Sequence, residues 1–194
     1  MPLKFGSESV SHVNCLRVSA EVVDSRGQQA TGWGETPLSV TWAWPSATLS
    51  YDERYEAMVA FCEFAAQAFV DVNESGHPME ISHVFLTERL PLILEAFNKS
   101  HSTEPMPYLA ALIVVSAFDI ALHDAYGNLH QVDIYDTYNS EYMNHDLSHY
   151  FRSSPEADRF QGLFPSDFLE EQPSVKVPVW HLVGGLDPLE ESDK

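Results

Sequence analysis

Residues 12 to 23, HVNCLRVSAEVV, alternate loosely between two faces. Leu16, Val18, Ala20 and Val22 fall on one side with Asn14. Val13, Cys15, Arg17, Ser19 and Glu21 fall on the other. A period of two predicts a strand whose first set faces the core. Asp24-Ser25-Arg26-Gly27 supplies turn residues, and Gln28 to Glu35, QQATGWGE, reads as the return strand. Gly32 and Gly34 flank Trp33, and glycine inside a strand marks a bulge or the close approach of another backbone. A lone hairpin is marginal in water, so this one is expected to pack on helices.

From Ser50 the period changes to that of a helix. Ser50 and Glu53 form a capping-box pair. Tyr51, Tyr55, Met58, Val59, Cys62, Ala65, Ala66 and Phe69 follow at helical spacing. Gly76-His77-Pro78 reads as a break. A second helical region runs over about residues 79 to 99, where Pro91 removes a backbone donor and predicts a kink or two short helices. A third helix is expected from Pro107 to about His130. It is apolar nearly all round, the pattern of a helix lying between layers. Asp119 and Asp124 lie on it. Buried carboxylates need partners, because an unpaired one costs several kcal/mol or takes up a proton.

Between the hairpin and the first helix, residues 36 to 49 show no clear period. Trp42 and Trp44 there stand open between two roles, core anchors or aromatics facing a ligand. Residues 131 to 172 are rich in Asp, Tyr, His, Ser and Pro and read as an irregular insertion or linker. Lys176 to Val183, KVPVWHLV, reads as a short strand ended by Gly184-Gly185, with a polar, frayed tail after it.

Composition narrows the function classes. Hydrophobic residues make up 44% of the 194, enough for a core. Ten Lys and Arg against 29 Asp and Glu give a formal charge of −19, which argues against nucleic acid and anionic membrane surfaces as partners. Cys15 and Cys62 both sit in apolar surroundings, so buried free thiols are expected rather than a bridge. No hydrophobic leader is evident at the N-terminus, and the run LAALIVVSAF is about half a membrane span. A cytoplasmic protein is the expectation.

The candidate chemistry is sparse. Glu35 has no second carboxylate or base at a telling spacing, and a strand-end hydrogen-bonding role is expected. His123 and His130 are expected as partners or helix-end charges. His145 and His149, with Asp146 between, are four apart and would share a helix face that could bind a transition metal. The zinc-protease spacing is not met, and no third ligand is evident. No GxGxxG, P-loop or GxSxG occurs.

Three short motifs in order resemble the N-terminal half of the enolase superfamily, nearest the mandelate racemase and muconate lactonizing enzyme branch. Gly32-Trp33-Gly34-Glu35 matches that family's G-x-G-E strand end. Asp119-Ile120-Ala121-Leu122-His123-Asp124 matches its D-x-A-x-x-D helix. Leu182-Val183-Gly184-Gly185 matches its L-x-G-G at the entry to a barrel. The resemblance covers residues 2 to 130 and 177 to 187. It implies an α+β fold, an antiparallel hairpin or meander packed on a three-helix bundle, followed by the start of a truncated (β/α) barrel. The implied divisions are a capping domain over 1–130, an irregular linker over 131–175, and a first barrel strand with a frayed end over 176–194.

The resemblance also implies a role. A capping domain closes over a Mg²⁺-dependent site that removes the proton alpha to a carboxylate, in a dehydratase, racemase or cycloisomerase. The substrate would be a small carboxylic acid. Leu3, Phe5 and Gly6 match the start of one family lid loop, and Trp42 and Trp44 occupy the region of the other. Gly32, Gly34, Glu35, Asp119, Asp124, Gly184 and Gly185 are structural motif positions. The catalytic base and the metal-holding Asp and Glu residues lie on later strands of a barrel of about 250 residues. No catalytic or metal residue is therefore assigned in this chain, and Mg²⁺ is expected only in a full-length relative. Without the barrel, the chain is expected to self-associate or aggregate. The alternatives are a non-catalytic homologue that binds a partner, and a small metal-binding module built on 131–172.

Overall fold

The computed structural model describes residues 3–5, 8–10, 12–101, 104–170 and 174–180. The fold is α+β: an antiparallel hairpin packed on a long helix, with further helices around it. A short pair, β1 (Leu3–Phe5) and β2 (Glu8–Val10), precedes it. The main hairpin is β3 (Cys15–Val23) and β4 (Gln29–Pro37), with Val18 opposite Gly34 and Ala20 opposite Gly32. Leu16, Val18, Ala20 and Val22 are half-buried and their neighbours exposed, which is the expected alternation. The turn is closed by Asp24. Its carboxylate accepts the N–H groups of Arg26 and Gln28, each at 2.8 Å, while Gly27 takes φ 80°.

A short helix, α1 (Val40–Ala43), leads into α2 (Tyr51–Val70). The α2 start is the expected capping box: Ser50 Oγ accepts Glu53 N–H at 3.3 Å, and the Glu53 carboxylate accepts Ser50 N–H at 2.8 Å. Next come α3 (Pro78–Val84), one wide π turn (Phe85–Arg89) and α4 (Leu90–His101). Pro91 stands at the second position of α4, so the region forms two separate helices, one of the two outcomes expected. The wide turn, in which Leu90 N–H reaches back to Phe85 O, sits just ahead of the ring. It absorbs the carbonyl that a proline would otherwise crowd. The longest helix, α5, is Tyr108–His130, ended by Gln131 at φ 58°. Helices α2, α4 and α5 pack on one another around Met58, Phe61, Leu90, Phe97, Ala111 and Val114.

The segment after α5 has three short 3-10 turns and a four-residue helix, α6 (Leu147–Tyr150). The expected strand 176–183 is corrected over its described part. Lys176 to Trp180 has no regular structure, and Trp180 is 95% exposed. A strand needs a hydrogen-bonded partner, and no described strand pairs with this segment. No barrel is present among the described residues. Gly184 and Gly185 lie outside them. Cys15 is exposed rather than buried, because it falls on the outer face of β3; Cys62 is half-buried on α2.

By length and composition α5 could also cross a membrane. Its packing against the hairpin and α2 gives the apolarity another cause.

Candidate functional site

The two motif segments that are most distant in sequence meet face to face. On α5, Ala117, Ala121 and Ala125 recur every four residues and form a stripe of small side chains. Gly32 and Gly34 of β4 lie directly on it. A Cβ on Gly32 would overlap the backbone of Ala121 and Ala125, and one on Gly34 the backbone of Ala117 and Ala121. Both glycines are thus needed for close approach, one of the two readings open at the sequence level.

Side chains of α5 then satisfy the open edge of β4. Asp124 Oδ2 accepts Trp33 N–H at 2.8 Å. Asn128 Nδ2 donates to Thr31 O at 3.0 Å. Ser116 Oγ and Thr36 Oγ1 are 2.8 Å apart. Exposed strand edges invite unwanted pairing, and this one is covered by a helix. Glu35 faces outward and pairs with Arg17 across the hairpin, Nε to Oε2 at 2.6 Å.

Asp119 is engaged elsewhere. The Ser82 hydroxyl of α3 donates to it, and His123 Nδ1 lies 3.4 Å from its Oδ1. Burial alone would raise the Asp119 carboxyl, but the hydrogen bonds from His123 and Ser82 hold it below the ordinary value. Burial alone would lower His123, and Asp119 raises it instead. The order serine–carboxylate–histidine is not a nucleophile–base relay, since the histidine does not reach the hydroxyl. An apolar hollow of about 150 Å³ lies beside it, lined in part by Phe85, Leu112 and Ser116.

Of the lid candidates, Leu3 and Phe5 lie in β1, a strand rather than the start of a loop, and Gly6 lies outside the described residues. The two tryptophans part company. Trp44 is fully buried, with Nε1 donating to Glu104 at 3.1 Å and its carbonyl accepting Arg54 at 2.5 Å, so it is a core anchor. Trp42 is 54% exposed. Glu104 also accepts from Ser46 at 2.8 Å and from Thr48, and these bonds with the Trp44 one hold its carboxyl low.

Sequence reasoning missed a second region, where the segment after α5 docks on α3 and α5. Glu80 is its anchor. Its two carboxylate oxygens accept His77 N–H at 2.9 Å, Asn144 N–H at 2.7 Å, Asn144 Nδ2 at 2.8 Å and His145 N–H at 2.9 Å. Burial would raise this carboxyl, but the donors outweigh it and hold it low. His77 is fully buried, and burial pushes its imidazole down to about 4. Its Nδ1 accepts Met79 N–H at 3.1 Å, and its Nε2 meets Thr137 Oγ1 at 2.9 Å. The available signal was Pro78 followed by Glu80, a helix start with a capping glutamate. Histidine is not among the usual N-caps, so Gly76-His77-Pro78 read only as a break.

His145 and His149 stack in parallel, ring centres 4.1 Å apart, and His83 lies 5.6 Å from His149. They line a cleft of about 290 Å³ together with Glu88 and Arg152. Parallel rings do not converge on one point, and among the described residues no three His, Cys, Asp or Glu side chains are arranged to hold a metal. Asp146 caps α6, accepting Ser148 N–H at 3.0 Å and Gly162 N–H at 2.7 Å.

No protein family, curated protein or solved structure matches the chain.

Proposed function

We propose that the chain is the substrate-capping portion of an enolase-superfamily-like enzyme that acts on a small carboxylic acid by alpha-proton abstraction. The observation that carries this reading is the joint between β4 and α5. The G-x-G-E and D-x-A-x-x-D segments, 84 residues apart counting from Glu35 to Asp119, supply the two sides of one close-packed contact. Two motifs found separately in a sequence are weak, but motifs that require each other sterically support a common origin.

The three motif carboxylates are already engaged and do not fit the Mg²⁺ that such an enzyme uses. Asp119 serves Ser82 and His123, Asp124 serves Trp33 and Asn128, and Glu35 serves Arg17. No step of the reaction is assigned to them. The capping role is to exclude water and select substrate, and Trp42 is an exposed aromatic on α1, the short helix after β4.

The test uses the polypeptide purified from its source cells, its intact mass recorded. It is incubated with a panel of sugar acids and muconate-like acids in D₂O, with and without Mg²⁺. Deuterium entering alpha to a carboxylate, or loss of water there, only with Mg²⁺ supports the reading. No exchange with any acid from a polypeptide of about 21.8 kDa overturns it and favours a non-catalytic binding protein.

A further inference from the structure

Six of the nine histidines gather where the segment after α5 docks: His77, which caps α3, His83 from α3, His123 and His130 from α5, and His145 and His149 from the segment itself. Ring contacts cross the interface at each point. His77 meets Tyr138 at 5.2 Å, His130 meets Tyr142 at 5.3 Å, and His83 meets both His149 and Tyr150, the latter at 5.0 Å. Hydrogen bonds add to this attachment: His77 Nε2 to Thr137 Oγ1, and Glu80 to Asn144 and His145.

The hydrogen bonds identify the proton on His77. Nδ1 accepts Met79 N–H, so it is bare. Thr137 Oγ1 donates to Ile134 O at 2.6 Å, so it accepts from Nε2–H. A second proton would sit on Nδ1 and face the Met79 N–H, donor against donor. On α5, His77 faces His123, His130 and Tyr126; the first two disfavour its positive charge. Glu80 on its own helix favours that charge but is already occupied by four donors. On the docked segment it faces Thr137 and Tyr138, neither of which can take up an imidazolium charge. His83 is also disfavoured as a cation, with Nε2 buried and unpartnered and Arg152 nearby, against Glu88. His149 faces His145, Arg152 and His83, with Glu80 opposing.

We propose that the interface between residues 134–150 and helices α3 and α5 is a proton-operated latch, docked at neutral pH and released by mild acid while the hairpin–helix core stays folded. Burial holds His77, His83 and His149 below the ordinary imidazole value in the docked state. A histidine held low in this way contributes docking stability in full above its free value, and loses it as pH falls toward its docked value. The undocked form binds more protons over that window. His123 has the opposite sign, since it is raised. Its partner Asp119 is on the same helix, so their pair survives release and does not hold the latch. Glu80, a lowered carboxyl, adds a second loss at lower pH, in the same direction.

The test is hydrogen exchange of the full chain read by mass spectrometry, from about pH 7.5 to about pH 4.5 and corrected for intrinsic exchange. Amides of 134–150 are expected to lose protection about tenfold or more while α2 amides keep theirs. His77→Asn, which retains a capping oxygen, and separately His149→Gln, are expected to move release to lower pH. Should His77→Asn not fold, His149→Gln decides. Loss of protection at the same pH in α2 and 134–150, no loss across the range, or an unmoved midpoint in the folded variants overturns the latch.

Discussion

Asp124 on α5 accepts the backbone N–H of Trp33 on β4 at 2.8 Å, a hydrogen bond spanning 91 positions of sequence. It ties the open edge of the hairpin to the helix that the glycines lie on. A carboxylate accepting an amide N–H is among the stronger hydrogen bonds in proteins. Asp124→Ala is expected to destabilise the chain by about 0.5–1.5 kcal/mol, because the bond is exposed to water, and Asp124→Asn by less, since an amide oxygen still accepts. Urea unfolding followed by far-UV circular dichroism measures both; equal stability of Asp124→Ala and the parent would sink the assignment.

Gly34 presses on the backbone of Ala117 and Ala121. A methyl group there meets peptide atoms of α5, which cannot rotate away as a side chain would. Gly34→Ala is expected to cost about 3 kcal/mol or more, at or beyond the upper end of ordinary overpacking. Gly27→Ala is a useful contrast, because its cost comes from the positive φ alone and nothing lies within 4 Å. Thermal melts of the two variants should rank Gly34→Ala as the more damaging, and the reverse order would contradict the close contact.

The histidines are expected to titrate apart. His123, paired with Asp119, takes its proton above the ordinary imidazole value, whereas His77 takes one only near 4. His123 therefore stabilises the fold below the ordinary value and stops doing so as pH rises through its own. His77 behaves oppositely. Long-range ¹H–¹⁵N NMR spectra at neutral pH should show His77 with its proton on Nε2. A proton on Nδ1 would contradict the bond to Met79.

The two thiols differ in reach. Cys15 is exposed on β3, while burial pushes Cys62 up to about 11. Alkylation near pH 8 should label Cys15 in the native protein and Cys62 only after unfolding, since the thiolate is the reactive form. Peptide mass mapping with equal labelling of both would refute the difference.

Much of the hairpin and of α2 was legible in the sequence. Alternation from Leu16 to Val22, the Asp24–Gly27 turn and the Ser50–Glu53 cap are decided by residues within six positions of one another. The glycines at 32 and 34 announced a special contact, and the paired carboxylates on the third helix announced partners. What neither could supply was the identity of those partners, because Asp119 meets Ser82 and Asp124 meets Trp33 only once the chain has folded. The same limit separated Trp44 from Trp42: a single residue lies between them in an aperiodic stretch, and only Trp44 meets Arg54 and Glu104.

The histidine interface lay wholly beyond local reading. His77 reaches Thr137 across 60 positions, and Glu80 gathers the amides of Asn144 and His145 across 64 and 65. Local chemistry determined which segments of this protein became strand or helix, because periodicity and capping act between neighbours. Tertiary structure alone decided which buried charges found donors and which imidazoles lost their water. Those outcomes depend on what the packed chain brings within hydrogen-bonding distance, and no spacing in the sequence encodes that distance.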